Sequence, residues 1–261
     1  MTTHRFFVDP QAVSADEVLL TGEQARQIYR VLRLRPPEQI IVLDNRGWQY
    51  HVTLASVSNE RVLGQVTARE RAANEPQARL TLYQSLLKKD NFEWILQKGT
   101  ELGVAVFVPM VSQRSVVRQL AVKENKWARW QRIVAEAAEQ SGRGHLPLLR
   151  QPMAFDAAVA DSQSNDLALI PWEEEQEMAL LQRVQQALTS RDNGVLQVAL
   201  FIGPEGGYAA EEIASAKANG VLPVTLGPRI LRAETAAIAA TALLMGALGD
   251  LQQVPLGAGG K

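Results

Sequence analysis

The sequence predicts an α/β protein in two parts: a small β-barrel module, then a larger domain built on a largely parallel sheet. Three observations carry this reading. β-Formers crowd residues 38–70. Beyond residue 78, apolar runs of strand length alternate with segments of helical period. One of those runs, Val195–Ile202, is apolar except at Gln197, the composition of a strand covered on both faces.

Taken in order, Thr21 and Glu23 suit the start of a short helix that ends near Arg33, ahead of Pro36 and Pro37. Strands follow at Gln39–Leu43, Tyr50–Leu54 and Val62–Val66, the first two separated by a turn at Asp44–Gly47. Residues 1–72 form the first domain, and Ala72–Gln77 reads as a linker. The second domain, 78–250, opens with a strand at Leu80–Leu87 and a helix at Asn91–Leu102, then a strand at Val104–Val111. A helix at Asn125–Ser141 sets Trp127, Trp130, Ile133, Val134 and Ala137 on one stripe. These tryptophans read as core rather than stacking platforms. Further pairs are a strand at Leu167–Ile170 with a helix at Glu174–Leu188, the strand Val195–Ile202 with a helix at Glu211–Ala218, and a strand at Leu222–Leu226 with a helix at Ala233–Leu248. Gly257–Gly260 reads as a disordered end.

Composition removes several classes of function. The chain has no cysteine, which excludes disulfides, thiolate metal sites and cysteine nucleophiles. His4, His51 and His145 are scattered, so no metal site is expected. No apolar run is long enough for a membrane span, and the first ten residues lack a signal-peptide core, which points to the cytoplasm. With a net charge of −1, any nucleic-acid contact must come from local patches. Arg26, Arg30, Arg33 and Arg35 form the best one, with a solvated helix face as the alternative.

Two segments carry the chemistry. Phe201–Tyr208 (FIGPEGGY) follows a buried strand and precedes a helix, the place where open α/β sheets bind ligands. Its glycines allow close backbone approach, yet the spacing matches neither phosphate-binding fingerprint, and Glu205 would repel a phosphate. A cationic sulfonium tolerates that carboxylate. In Leu226–Ala236 (LGPRILRAETA) a strand end, a Gly-Pro loop and a helix start recur. Arg229 and Arg232 flank the apolar pair Ile230 and Leu231. Glu234 and Thr235 suit helix capping, which competes with a catalytic role for Glu234.

These segments, with Tyr29–Arg33, Gln97–Val104, Pro109–Ser115 and Glu136–Arg143 followed by Pro147, resemble the SPOUT superfamily. Within it they are most similar to the bacterial small-subunit ribosomal RNA methyltransferase E family. The likeness spans nearly the whole chain; Tyr29 departs from it, where a histidine is expected in many relatives. The resemblance implies a C-terminal trefoil knot, a PUA-like N-terminal barrel and a homodimer. It implies methylation of uridine N3, at U1498 of 16S ribosomal RNA in the small subunit, with S-adenosyl-L-methionine as cofactor. It puts the cofactor against Ile170, Pro171, Ile202, Gly203, Pro204, Gly206, Leu226, Gly227, Ile230 and Leu231. Arg114 and Arg232 become candidates for transition-state stabilisation, Glu205 and Glu234 for proton acceptance, and Arg143 joins the helix arginines in RNA binding. The absence of cysteine separately disfavours methylation at uracil C5, which usually needs a cysteine nucleophile. Two other classes stay open: a non-catalytic RNA-binding factor on the same fold, and a nucleotide-dependent enzyme. The final helix, uncharged from Ala236 to Gly249, suits either an interface or a core.

Overall fold

A computed structural model describes residues 4–14, 16–189 and 194–252. The expected disordered end at Gly257–Gly260 lies outside them. The chain divides into two compact units, Met1–Glu75 with Ala135–Leu146, and Pro76–Val134 with Pro147–Lys261.

The first unit is a five-stranded sheet. It contains β1 (His4–Phe7), β2 (Glu17–Thr21), β3 (Gln39–Leu43), β4 (Trp48–Val57) and β5 (Arg61–Arg71), in the order β1-β3-β4-β5-β2. β1 runs parallel to β3 and the other pairs are antiparallel. Two register shifts between β4 and β5 curl the long strands, a device of barrel-like sheets. Alternation decides which side is buried: along β2, Val18 and Leu20 enter the core while Glu17, Leu19 and Thr21 stay exposed. The short helix α1 (Gly22–Arg26) widens into a π-helical turn, Gln27–Leu32, and stops at Arg33 in left-handed conformation, with φ 55°. Ala25 and Ile28 anchor it in the core. Thr21 stands at the N-cap position but its side chain makes no capping bond.

The second unit holds a seven-stranded, all-parallel sheet. Its strands are β6 (Arg79–Ser85), β7 (Val106–Val111), β8 (Leu148–Leu149), β9 (Met153–Ala154), β10 (Leu167–Pro171), β11 (Gln197–Ile202) and β12 (Leu222–Val224). The order is β12-β10-β11-β6-β7-β8, with β9 also paired to β7. β11 behaves as its composition predicts. Val198, Leu200 and Ile202 enter one core cluster, Ala199 and Phe201 the other, so both faces are covered. Phe201 stacks on Tyr83 of the neighbouring β6, centroids 4.5 Å apart. The unit's helices are α2 (Asn91–Glu101), α3 (Glu124–Ser141), α4 (Phe155–Ser162), α5 (Leu180–Thr189), α6 (Ala210–Ala218) and α7 (Ala233–Ala247); the end of α3 belongs to the first unit. Trp130 of α3 is fully buried against Phe92, the core role expected of it. Leu244 of α7 is likewise buried within a single chain, so at that position the helix is core, while Leu243 is 40% exposed.

The sequence reading starts its fourth helix at Glu174, but the corresponding helix, α5, starts at Leu180. The preceding backbone is committed elsewhere: Trp172 N–H donates to Val224 O, Thr225 N–H to Met178 O, and Leu180 N–H to Thr225 O. These bonds tie the segment beside the end of β12, and good helix formers cannot override them.

Candidate functional site

The carboxyl ends of β10 and β11 and the segment joining β12 to α7 enclose a cavity of about 510 Å3. That is within the usual range for a cofactor-sized ligand. Pro171 and Glu173 come from the end of β10. Ile202, Gly203, Pro204, Glu205 and Gly206 come from the end of β11, and Ile230, Leu231, Arg232 and Glu234 from the segment entering α7. A smaller space of about 100 Å3 adjoins it at Leu226 and Gly227, and shares Pro171, Ile230 and Leu231. Of the residues expected at the cofactor, Ile170 alone lines neither space; it lies fully buried in the core beneath.

The first loop is pinned at every step. A Cβ on Gly203 would sit 3.1 Å from the Tyr208 ring, one on Gly206 3.3 Å from Arg114 Cβ, and Gly207 has φ +67°. Glycine at 203 is therefore demanded by the packed tyrosine beside it, as well as by any ligand. The Lys88 amide donates to Glu205 Oε1 at 3.1 Å, and Arg114 Nη1 donates to Gly206 O at 3.2 Å. Arg114 thus holds the loop without lining the cavity. Glu212 accepts from the amides of Gln113 and Ala209, at 2.8 and 3.0 Å. The Tyr208 hydroxyl is buried; burial, then the Glu212 and Glu173 carboxylates, push it well above its ordinary value. Ser85 lies near enough to soften that shift but not at hydrogen-bond geometry.

The second loop is less packed. Gly227 has φ +105° with nothing near its missing Cβ, although its amide donates to Thr225 Oγ1 at 3.2 Å, and Ile230 is 89% exposed. Arg232 occupies the N-cap position of α7, exposed at the cavity rim. Among the described residues its guanidinium has no hydrogen bond or ion pair. Glu234 lies in the first turn of α7, where its charge favours the helix start, so the helix-start role stays beside the catalytic one. The cavity wall therefore carries three carboxylates, Glu173, Glu205 and Glu234, against the one guanidinium of Arg232. Glu173 and Asn91 escaped the sequence reading, whereas Gly207 and Tyr208 fall within its Phe201–Tyr208 segment without a role given to them. Glu173 was within reach, being three residues past Ile170, the expected strand end.

In the first unit, Arg26, Arg30, Arg33 and Arg35 are all exposed, and Arg35 lies 4.9 Å from the Tyr29 ring centroid. Arg143, expected at RNA, is instead internal: it is 4% exposed, and its Nε and Nη2 donate to Glu75 at 2.9 and 2.8 Å. Among the described residues no cluster of histidine and carboxylate side chains could hold a metal ion, and no helix is long and apolar enough to cross a membrane.

Comparison with known proteins addresses the same residues. Residues 73–245 match the RNA methyltransferase domain family. The chain is 33% identical over 236 residues to ribosomal RNA small subunit methyltransferase E of Bacillus subtilis, covering 89% of this chain and 92% of that one. The chain belongs to this family. A Synechocystis member of methyltransferase E is 36% identical over 92% of this chain and 76% of its own. The crystal structure of the Neisseria gonorrhoeae methyltransferase E, bound to S-adenosyl methionine, superposes with a TM-score of 0.82 at 31% identity, over 94% of this chain and 98% of that one.

Proposed function

We propose that the protein transfers a methyl group from S-adenosylmethionine to N3 of a uridine in the 16S ribosomal RNA of the small subunit. The observation that carries this reading is the charge of the cavity: three carboxylates and one arginine, at the carboxyl edge of a parallel sheet. Such a wall repels nucleotide phosphates and accepts a sulfonium and an ammonium group. It thereby disfavours a nucleotide-dependent enzyme. The related proteins of Bacillus subtilis and Synechocystis are ribosomal RNA small subunit methyltransferases.

Pro171, Ile202, Gly203, Pro204, Gly206, Leu226, Gly227 and Leu231 would hold the cofactor. When bound, it supplies an electrophilic methyl group. The chain's own residues then have three tasks. The pinned glycine loop fixes one reactant, so that reaction becomes a matter of alignment. Glu234 or Glu205 accepts the N3 proton, since the neutral imide is a poor nucleophile. Arg232, whose guanidinium has no partner among the described residues, donates to the uracil oxygen on which charge then accumulates.

The same reading includes a trefoil knot in the second unit, a PUA-like barrel in the first, a cytoplasmic protein and a homodimer. The strand order supports the knot by setting β11 between β6 and β10. Exposed apolar Leu243 and Ile230 support an interface, and light scattering at micromolar concentration reads it directly. The activity is tested by incubating the protein with labelled S-adenosylmethionine and unmodified small subunits, then mapping the label. Label at uridine N3 is expected. Stoichiometric cofactor binding without transfer would favour the non-catalytic factor.

A further inference from the structure

A second cationic site lies on the sheet of the first unit, away from its helix arginines in sequence. β4 and β5 pair so that Trp48 faces Arg71 and Tyr50 faces Arg69. Residues two apart on a strand share a face, so these four side chains lie together: Arg69 and Arg71 exposed, Trp48 half-buried, and Tyr50 buried against the core. Both guanidiniums lie over the indole of Trp48: Arg69 Cζ is 3.9 Å from a ring centroid and Arg71 Cζ 4.0 Å. Arg69 also lies 5.5 Å from the centroid of Tyr50. Arg46, in the turn before β4, acts with Arg69 on the Tyr50 phenol, opposing the rise that burial and Asp44 impose. The His145 ring lies beside Gly47 in the same turn.

Acidic groups near this cluster are committed elsewhere. Asp44 is buried and accepts from the amides of Arg46 and Trp48 and from the Tyr50 hydroxyl. Glu70 bonds to His51 and Gln49, and Glu75 to Arg143 and the amides of Gly144 and His145. Among the described residues no carboxylate forms an ion pair with Arg46, Arg69 or Arg71. Two exposed guanidiniums gathered at one indole repel each other. Stacking fixes their planes and leaves their N–H edges to solvent, an arrangement that favours an incoming anion.

We infer that Trp48, Arg69 and Arg71 form a binding site for single-stranded RNA. The guanidiniums take phosphates, and a base extends the Trp48–arginine stack. An acidic peptide would satisfy the charge but has no planar group to continue the stack, which is why the surface favours RNA. The inference deepens the proposed function by naming where the substrate is gripped far along the chain from the cavity residues.

The test is binding of a fluorescein-labelled, mixed-sequence single-stranded RNA across a range of salt concentrations. The double variant Arg69→Gln, Arg71→Gln should bind severalfold more weakly, and its slope of log K against log salt should fall by about 1.4, two single-strand phosphate contacts. Trp48→Leu should weaken binding with little change of slope, because it removes the stack and keeps the charge. If that variant does not fold, Trp48→Phe with the double variant carries the test. Cofactor affinity should be unchanged in all. An unchanged slope in the folded double variant overturns the site, as does polyglutamate competing as well as RNA. A wild type that transfers no methyl group yet loses slope with these arginines removes the proposed function and upholds the site. Methyl transfer with an arginine-independent slope does the reverse.

Discussion

The loops Gly203–Gly207 and Gly227–Arg232 border the same cavity and are built in opposite ways. In the first, a packed neighbour or a hydrogen bond accounts for each of the three glycines and for Glu205. In the second, Gly227 is held by a bond from its amide to Thr225 and has open space at its Cβ, Ile230 is almost fully exposed, and the Arg232 guanidinium has no partner among the described residues. A wall whose shape is set in advance suits a small, invariant ligand. A wall left unsatisfied suits contacts that another molecule completes. On the proposed reading, the cofactor falls mainly to the first loop and the RNA base to the second.

The sharpest attack on that division is Arg232→Lys. Lysine keeps the charge and loses the planar pair of donors. The methyl-transfer rate in single turnover, at saturating RNA and cofactor, should fall by roughly 10²–10³. Cofactor affinity by calorimetry should hold. A normal rate would take the second loop out of the chemistry, and a collapsed affinity would merge the two walls into one.

Gly203→Val probes the pinned side. Its Cβ meets the buried Tyr208 ring at 3.1 Å, so overpacking costs about 1–3 kcal/mol. Passed on to the ligand, that is roughly a 5- to 150-fold loss of cofactor affinity in a folded protein. Full affinity would show that the first loop is not the cradle. Gly227→Ala should be the mildest of the three. It adds no clash, and its φ of +105° costs an alanine about 1–3 kcal/mol only while the loop keeps this shape. A loop free to adjust avoids most of that cost, so cofactor affinity should drop by less than about fivefold. A loss matching that of Gly203→Val would mean that the second loop is as rigid as the first.

Much of this was legible in the residues. β11 announced itself by burying both faces, and the two loops stood out because each joins a strand end to a helix start. Local pattern failed where the deciding partner is remote. β1 is only four residues long and gains its place by pairing with Ile40–Leu43. α4 is a short Ala-rich helix held by Phe155, Ala158 and Val159 in the core. The false helical start at Glu174 came from good helix formers whose backbone is bonded to a segment about fifty residues later. Arg143 reads as a surface cation until Glu75 is seen beside it. The grouping of Trp48 with Arg69 and Arg71 depends on the β4–β5 register, which no local window contains.

The neighbours of β11 set the order in which the molecule can be completed. Of this sheet's strands β6 is synthesised first, and β7 pairs with it early, yet its other neighbour, β11, begins at Gln197, and β12 and the second loop follow later still. Closing such long intervals costs chain entropy before any contact repays it, so assembly of this sheet is expected to be slow. No earlier intermediate contains both walls of the cavity. A molecule that recognises the cavity therefore binds the finished fold and none of its precursors, and mass action draws the last docking step toward completion. On the proposed reading, cofactor supply, usually counted as a term in the reaction rate, becomes part of this protein's maturation.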